Sequence, residues 1–171
     1  MGASAGIAHS QPRIAVSACL LGERVRYDGA SKRHPLIMRL ANEFVLQPFC
    51  PEVAIGLGVP RAPVQLVATP DGIRARGVAD PAHDISERLQ AYAQIQCEAL
   101  KDCAGVIFKS RSPSCGLGST PLFDDQNHET GSTDGLFAAI LRECLPDVVM
   151  VEESALDSEA AIDAFAARVR V

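Results

Sequence analysis

The chain has 171 residues, 47% of them hydrophobic and 22% charged, enough for one domain with a sizeable core. Its formal net charge of −5 offers no global attraction to a polyanion, and with no tryptophan and 5% aromatic residues it lacks stacking platforms for single strands, so nucleic acid is not expected as a partner. No apolar run approaches the ~18 residues of a membrane span, and "MGASAGIAHSQPR" has neither the basic nor the apolar region of a secretion signal, so a cytoplasmic protein without membrane association is expected.

In chain order, Met1 to Pro12 reads as a loose tail; its "MGASAG" start superficially suits myristoylation, but a small polar tail before a first strand accounts for it. "RIAVSACL" (13–20) alternates and is rich in small and β-branched residues, which predicts a first strand that breaks at "LLGERVRYDG". "HPLIMRLANEF" (34–44) spaces its apolar residues as a helix does. A strand over Phe44 to Phe49 leads to a proline-flanked cysteine and then a loop with Gly56, Gly58, Pro60 and Pro63. "PVQLVATPDGIRARGVAD" carries the turn signal "PDG" between two alternating runs, a hairpin.

Asp84 to Cys103 places Ile85, Leu89, Ala93, Cys97 and Leu100 on one stripe, with Asp84 as N-cap, and is read as a long helix. "AGVIFKS" follows as a short apolar strand of the kind buried on both faces of a parallel sheet. "STDGLFAAILRECLP" predicts another helix, "DVVMVEE" another buried strand and "DSEAAIDAFAARVRV" a last helix opened by a Ser/Asp cap. Alternating helices and apolar strands predict an α/β fold: one three-layer domain over 13–171 with a mostly parallel, Rossmann-like sheet plus a small β-hairpin.

In such sheets ligands bind beyond the carboxyl ends of the strands, and this organises the six cysteines. Cys19, Cys50 and Cys115 fall at strand ends or in the loops after them. Cys97, Cys103 and Cys144 fall on or at the end of helical stripes and read as small buried hydrophobes. The cytosolic reading argues against a disulfide framework. Three loop thiols are compatible with zinc, with an iron–sulfur cluster, or with separate reactive thiols. The intervals between them match no C-x-x-C signature of zinc knuckles or ferredoxins, so spacing alone does not choose.

Glu52 follows Cys50 in "CPE", Ser112 and Ser114 precede Cys115 in "SRSPSC", and Arg26, Asp28, Arg61, Lys109 and Arg111 all sit in predicted loops. Cations near thiolates offset their charge and can hold an anionic or carbonyl-bearing ligand. "GLGVPR" is too short and too proline-rich for a dinucleotide fingerprint.

Taken in order, "VSACLLGERVRYDG", "FCPEVAIGLGVPRAPVQL", "FKSRSPSCG" and "TDGLFAAILRE" resemble the DUF523 family, whose characterised members are the thiouracil desulfidases; the likeness runs from about residue 14 to 143. The resemblance implies an oxygen-sensitive 4Fe-4S cluster held by Cys19, Cys50 and Cys115, with the fourth iron left to substrate sulfur. It implies catalytic roles for Glu52 and Ser112, with Ser114 as second choice; from their place in the loops, Arg26, Asp28, Arg61, Lys109, Arg111 and Ser114 are expected to contact the substrate. The expected reaction is hydrolytic removal of sulfur from thiouracil or a related thiolated pyrimidine, base or nucleotide, to give uracil and sulfide. The extra domain that some relatives carry and that is associated with thiolated tRNA is not expected here, which favours a small-molecule substrate. The alternatives are a zinc hydrolase, a thiol or persulfide sulfur carrier, and a non-catalytic scaffold.

Overall fold

The computed structural model describes residues 11–170. The tail expected over Met1–Pro12 lies outside them except for its last two residues, and there the Pro12 carbonyl already accepts from Val45 N at 2.9 Å. Four strands, β1 (Arg13–Ser17), β2 (Val45–Phe49), β5 (Gly105–Phe108) and β8 (Val149–Glu152), form an all-parallel sheet in the order β2-β1-β5-β8.

Its central strands are apolar throughout because both faces are covered. Ile14, Val16 and Ile107 point to one side, against the short helix α1 (Pro35–Met38), Leu40, Phe44 and the last helix, α5 (Glu159–Val169). Ala15, Val106 and Phe108 point to the other, against α3 (Ser86–Ala99) and α4 (Leu136–Cys144). This is the period-two alternation of a strand read twice, once by each helical layer. The result is the expected α/β sandwich.

The hairpin is present as β3 (Val64–Thr69) and β4 (Gly72–Gly77), closed by a two-residue turn between Thr69 and Gly72. It belongs to a larger structure than expected. Two further strands, β6 (Thr120–Phe123) and β7 (Glu129–Thr133), extend it to a second, mixed sheet in the order β4-β3-β6-β7, with β3 and β6 parallel through Leu66↔Leu122. Leu66 and Ala75 of this sheet pack on Ile85, Leu89 and Leu136.

Local chemistry sets the remaining boundaries. The helix expected over 34–44 stops at Met38 and continues as a 3-10 turn over Arg39–Asn42. Asp84 serves the start of α3 from one position earlier than a cap: Ile85 occupies the cap position without a side-chain bond, while Asp84 Oδ1 accepts from Ser86 N at 2.9 Å. Ser158 does cap α5, accepting from Ala161 N at 3.1 Å.

Two cysteines read as isolated core residues are paired. Cys97 of α3 and Cys144 of α4 form a disulfide with a Cα–Cα distance of 6.0 Å, which corrects the expectation of no disulfide. Neither is the small buried hydrophobe expected: Cys97 is half-buried and Cys144 exposed, and they meet where α3 and α4 lie side by side in one layer. Cys103 is buried and free as expected. No helix among the described residues is long and apolar enough to cross a membrane.

Candidate active site

The loops at the carboxyl ends of β1, β2 and β5 surround a cavity of about 380 Å³. Its wall includes all three loop cysteines, Cys19, Cys50 and Cys115, each free. They arrive from three different chain segments. Cys19 sits in the 3-10 turn Ala18–Leu21 directly after β1. Cys50 is the cap residue between β2 and the single-turn helix α2 (Pro51–Ala54). Cys115 lies in the loop after β5, where Ser112 Oγ accepts from Ser114 N at 3.2 Å and from Cys115 N at 3.0 Å.

Close packing explains two glycines near Cys115. A Cβ on Gly116 would stand 2.0 Å from Thr120 Oγ1, and one on Gly135 would stand 2.4 Å from the Ser114 backbone, so the start of α4 can press on this loop only through glycine. Ser114 O in turn accepts from Ala138 N at 3.0 Å.

Burial disfavours the charged form of each thiol. It pushes Cys19 up to about 11, with Lys109 and Arg26 pulling the other way and the Cys50 charge adding to the rise. Burial likewise raises Cys50, against bonds from the Val53 backbone and the charge of Arg61. Cys115 is raised well above the ordinary thiol range, by burial first and then by the Cys50 charge, while the Ser17 hydroxyl hydrogen-bonds to its sulfur and opposes the rise. The Cys50 charge thus reaches both other thiols, and the Cys19 charge adds to the rise at Cys115. Burial therefore keeps the three as neutral thiols, and ionising them together would call for a cationic partner among them.

Glu52 is buried at 8% exposure and has one partner on each oxygen. Arg61 Nε donates to Oε1 at 3.1 Å, and Ser114 Oγ, itself fully buried, donates to Oε2 at 3.1 Å. Arg61 Nη1 also donates to the Gly58 carbonyl at 3.0 Å. Lys109 Nζ is held by Glu153 Oε1 at 2.8 Å and by the Ser110 carbonyl at 3.0 Å. Arg26 lies over the Tyr27 ring, 5.9 Å from its centroid. Arg111 takes a left-handed backbone (φ 64°), an uncommon conformation for a residue with a side chain, and lines the cavity. Neither Arg26 nor Arg111 has a carboxylate partner among the described residues.

Of the residues singled out in the sequence, Glu52, Ser112, Arg26, Arg61, Lys109 and Arg111 line the cavity with the three cysteines. Two do not. Asp28 is exposed and accepts from Ala30 N at 2.9 Å within its own turn, and Ser114 stands behind Glu52, away from the wall. Ser17, Tyr27, Phe49 and Val64 also line the cavity and were not singled out; Ser17 and Tyr27 stood in plain view inside the cysteine and "RYDG" motifs.

Among the described residues no three His, Cys, Asp or Glu side chains converge closely enough to hold a single metal ion. A tetrahedral zinc with Zn–S near 2.3 Å would bring sulfurs to about 3.8 Å of one another. Three soft thiol donors spread round a cavity fit a larger, multi-iron group better than one ion.

Comparison with known proteins agrees with this donor set. A solved 4Fe-4S-dependent thiouracil desulfidase, TudS, has 29% sequence identity, superposes over 90% of this chain and 99% of its own with a TM-score of 0.69, and so shares the two-sheet architecture. YbbK, an uncharacterized protein of Bacillus subtilis (strain 168), is 32% identical over 111 residues, which cover 61% of this chain and 74% of that one. The profile described as 2-thiouracil desulfurase matches residues 14–153, from the first strand to the end of the last, and thus spans every loop that lines the cavity. The chain belongs to the 2-thiouracil desulfurase family.

Proposed function

We propose that this protein is a thiouracil desulfidase that removes sulfur hydrolytically from a thiolated pyrimidine at a 4Fe-4S cluster held by Cys19, Cys50 and Cys115. The observation that carries the reading is the meeting of three free thiols and one buried carboxylate on the wall of a single cavity. Family membership and the likeness to TudS support it. Bound there, the cluster supplies a soft Lewis-acidic iron with no protein ligand, suited to polarising a thiocarbonyl.

The chain's own groups divide the remaining work. A cavity of about 380 Å³ lies at the small end of ligand sites, the size for a single heterocycle. Phe49, Pro63 and Val64 give it an apolar wall for the ring. Each carboxylate oxygen of Glu52 accepts one protein hydrogen bond and keeps a second lone pair. Glu52 is therefore fixed in direction yet able to take the proton of a water attacking the C–S carbon. Ser112 Oγ already accepts from two backbone N–H groups, which turns its own hydrogen outward as a donor to the substrate. Water supplies the oxygen, and sulfur leaves as sulfide without net oxidation or reduction of the pyrimidine. Ser114, as partner of Glu52, is a support for the base and not a second nucleophile. We assign 13–171 to a single domain.

The test is anaerobic reconstitution with iron and sulfide, followed by 2- and 4-thiouracil and their nucleotides. Loss of thiocarbonyl absorbance with matching sulfide release is expected, and both disappear in Cys115→Ser. Reconstituted protein that holds iron but leaves every thiolated pyrimidine intact would reject the substrate class. Turnover by an iron-free, zinc-loaded preparation would reject the cluster.

A further inference from the structure

Cys115 lies in a loop, Lys109 to Ser119, that joins β5 to the second sheet, and both ends of this loop are tied to the neighbouring strand. The register Phe108↔Glu152 sets the end of β8 beside the start of the loop. There Glu153 accepts from Lys109 Nζ at 2.8 Å, Ser110 N at 2.6 Å and Ser110 Oγ at 2.7 Å. The preceding residue, Glu152, accepts from Leu117 N at 2.8 Å and from the Ser119 hydroxyl. Ser119 Oγ in turn accepts from Arg111 N at 2.8 Å, which folds the far end of the loop back onto its start.

Glu152 ends β8 and Glu153 opens the 3-10 turn Glu153–Ala155 that follows, and both acids find donors on the one loop. Each is half-buried, and Glu153 has its carboxyl held below the usual range: partial burial pushes it up, and the bonds from Lys109 and Ser110 outweigh that. None of these contacts touches the cysteines, and neither acid lines the cavity.

We propose that Glu152 and Glu153 are positioning residues that hold the Cys115 loop closed from its two ends, so that Cys115 meets Cys19 and Cys50 in one fixed geometry. The functional consequence rests on Cys115 being a cluster ligand, as proposed above; the closure of the loop does not. Outer partners of metal ligands are typically worth ~10- to 100-fold in metal affinity.

The test exploits Cys103, which is as buried as Cys115 (6% against 4%) but lies between α3 and the amino end of β5, at the end of the strands away from the cavity. The full-length protein before reconstitution is treated with a maleimide at fixed pH, and the alkylation rates of Cys115 and Cys103 are read by peptide mass spectrometry. Glu152→Gln/Glu153→Gln is expected to raise the ratio of the Cys115 rate to the Cys103 rate ~10-fold, and Ser110→Ala/Ser119→Ala, a gentler removal of the same contacts, ~3-fold. After reconstitution, the same variants lose iron to a chelator ~10-fold faster and show an altered spectrum of the reduced cluster, which a general loss of stability would not produce. A wild-type ratio in both variants overturns the clamp. A raised ratio in a protein whose wild type takes up no iron supports the clamp and overturns the cluster reading instead, so the two failures are distinct. Should the double glutamine variant unfold and expose both thiols equally, the serine variant decides.

Discussion

The two ends of the parallel sheet treat the same residue type in opposite ways. At the carboxyl ends of β1, β2 and β5, Cys19, Cys50 and Cys115 stand free around a cavity. Towards the amino ends, where α3 and α4 run out before β5 and β8, Cys97 and Cys144 are joined covalently. The difference lies in what surrounds each group. Helix ends on one layer approach each other directly, whereas the loop thiols come from three separate segments and share their cavity wall with two buried polar groups, Ser17 and Glu52, each hydrogen-bonded. One end uses cysteine to close a structure. The other holds cysteine ready to bind something.

Substitutions test this contrast, and the largest effect belongs to the cavity. Cys50→Ser is expected to abolish cluster uptake and turnover, a loss beyond ~1000-fold, while the melting temperature of the metal-free protein moves by no more than a few degrees, since Cys50 is only partly buried. A Cys50→Ser protein that keeps half its activity would mean that the three free thiols do not act as a set. Glu52→Gln should cost ~10²- to 10⁴-fold in turnover, the range of general base catalysis, with iron content unchanged. If iron content falls with it, Glu52 is needed to shape the site and its role as base is not supported.

At the opposite end the prediction inverts. Cys97→Ser should lower stability by up to ~4 kcal/mol, the chain-entropy value for a cross-link spanning 47 residues, and leave turnover per folded molecule within about twofold. Urea melts of oxidised and reduced wild type read the same difference without mutation. A Cys97→Ser enzyme that loses its cluster would show that the two ends are coupled through α4, whose start packs on Ser114.

The contrast also shows what could be read from the residues alone. The strands β1, β5 and β8 and the helices α3, α4 and α5 are legible because a covered strand is a short run of apolar or small β-branched residues and burial on one face of a helix gives a stripe, although β8, at the sheet edge, is half-buried where the sequence predicts a buried strand. The second sheet is not. β7 is almost wholly exposed, so "ETGST" carries no hydrophobic period, and the β3–β6 pairing joins segments more than 50 residues apart with only Leu66 and Val67 in register with Leu122 and Phe123. The free thiols are legible as a group because strand ends converge in any open α/β sheet. The disulfide is hidden for a related reason: periodicity places Cys97 and Cys144 on stripes but says nothing of which stripe faces which. Glu152 and Glu153 escape because two acids ending a strand look like ordinary solvated residues; the available signal is that they close an apolar strand on the side where the loops gather.

The smallest effect separates the two ends by pH. The disulfide has no titrating group, but the loop at the other end leans on Glu153, whose carboxyl is held below its ordinary 4.5. A depressed folded value means that the ionised acid stabilises the closed loop fully above about pH 4.5, and that this stabilisation is lost as the pH falls below it. Hydrogen exchange, corrected for its intrinsic pH dependence, is expected to show residues 109–117 losing protection on the order of fivefold between pH 6 and pH 3, the ~1 kcal/mol of a partly buried ion pair. The segment around Cys97 and Cys144 should not change over the same interval. Glu153→Gln should remove the dependence while lowering protection at pH 6 to the acid value. An equal loss at both ends, or an unchanged slope in Glu153→Gln, would show that acid loosens the fold generally and that the cavity end has no ionic fastening of its own.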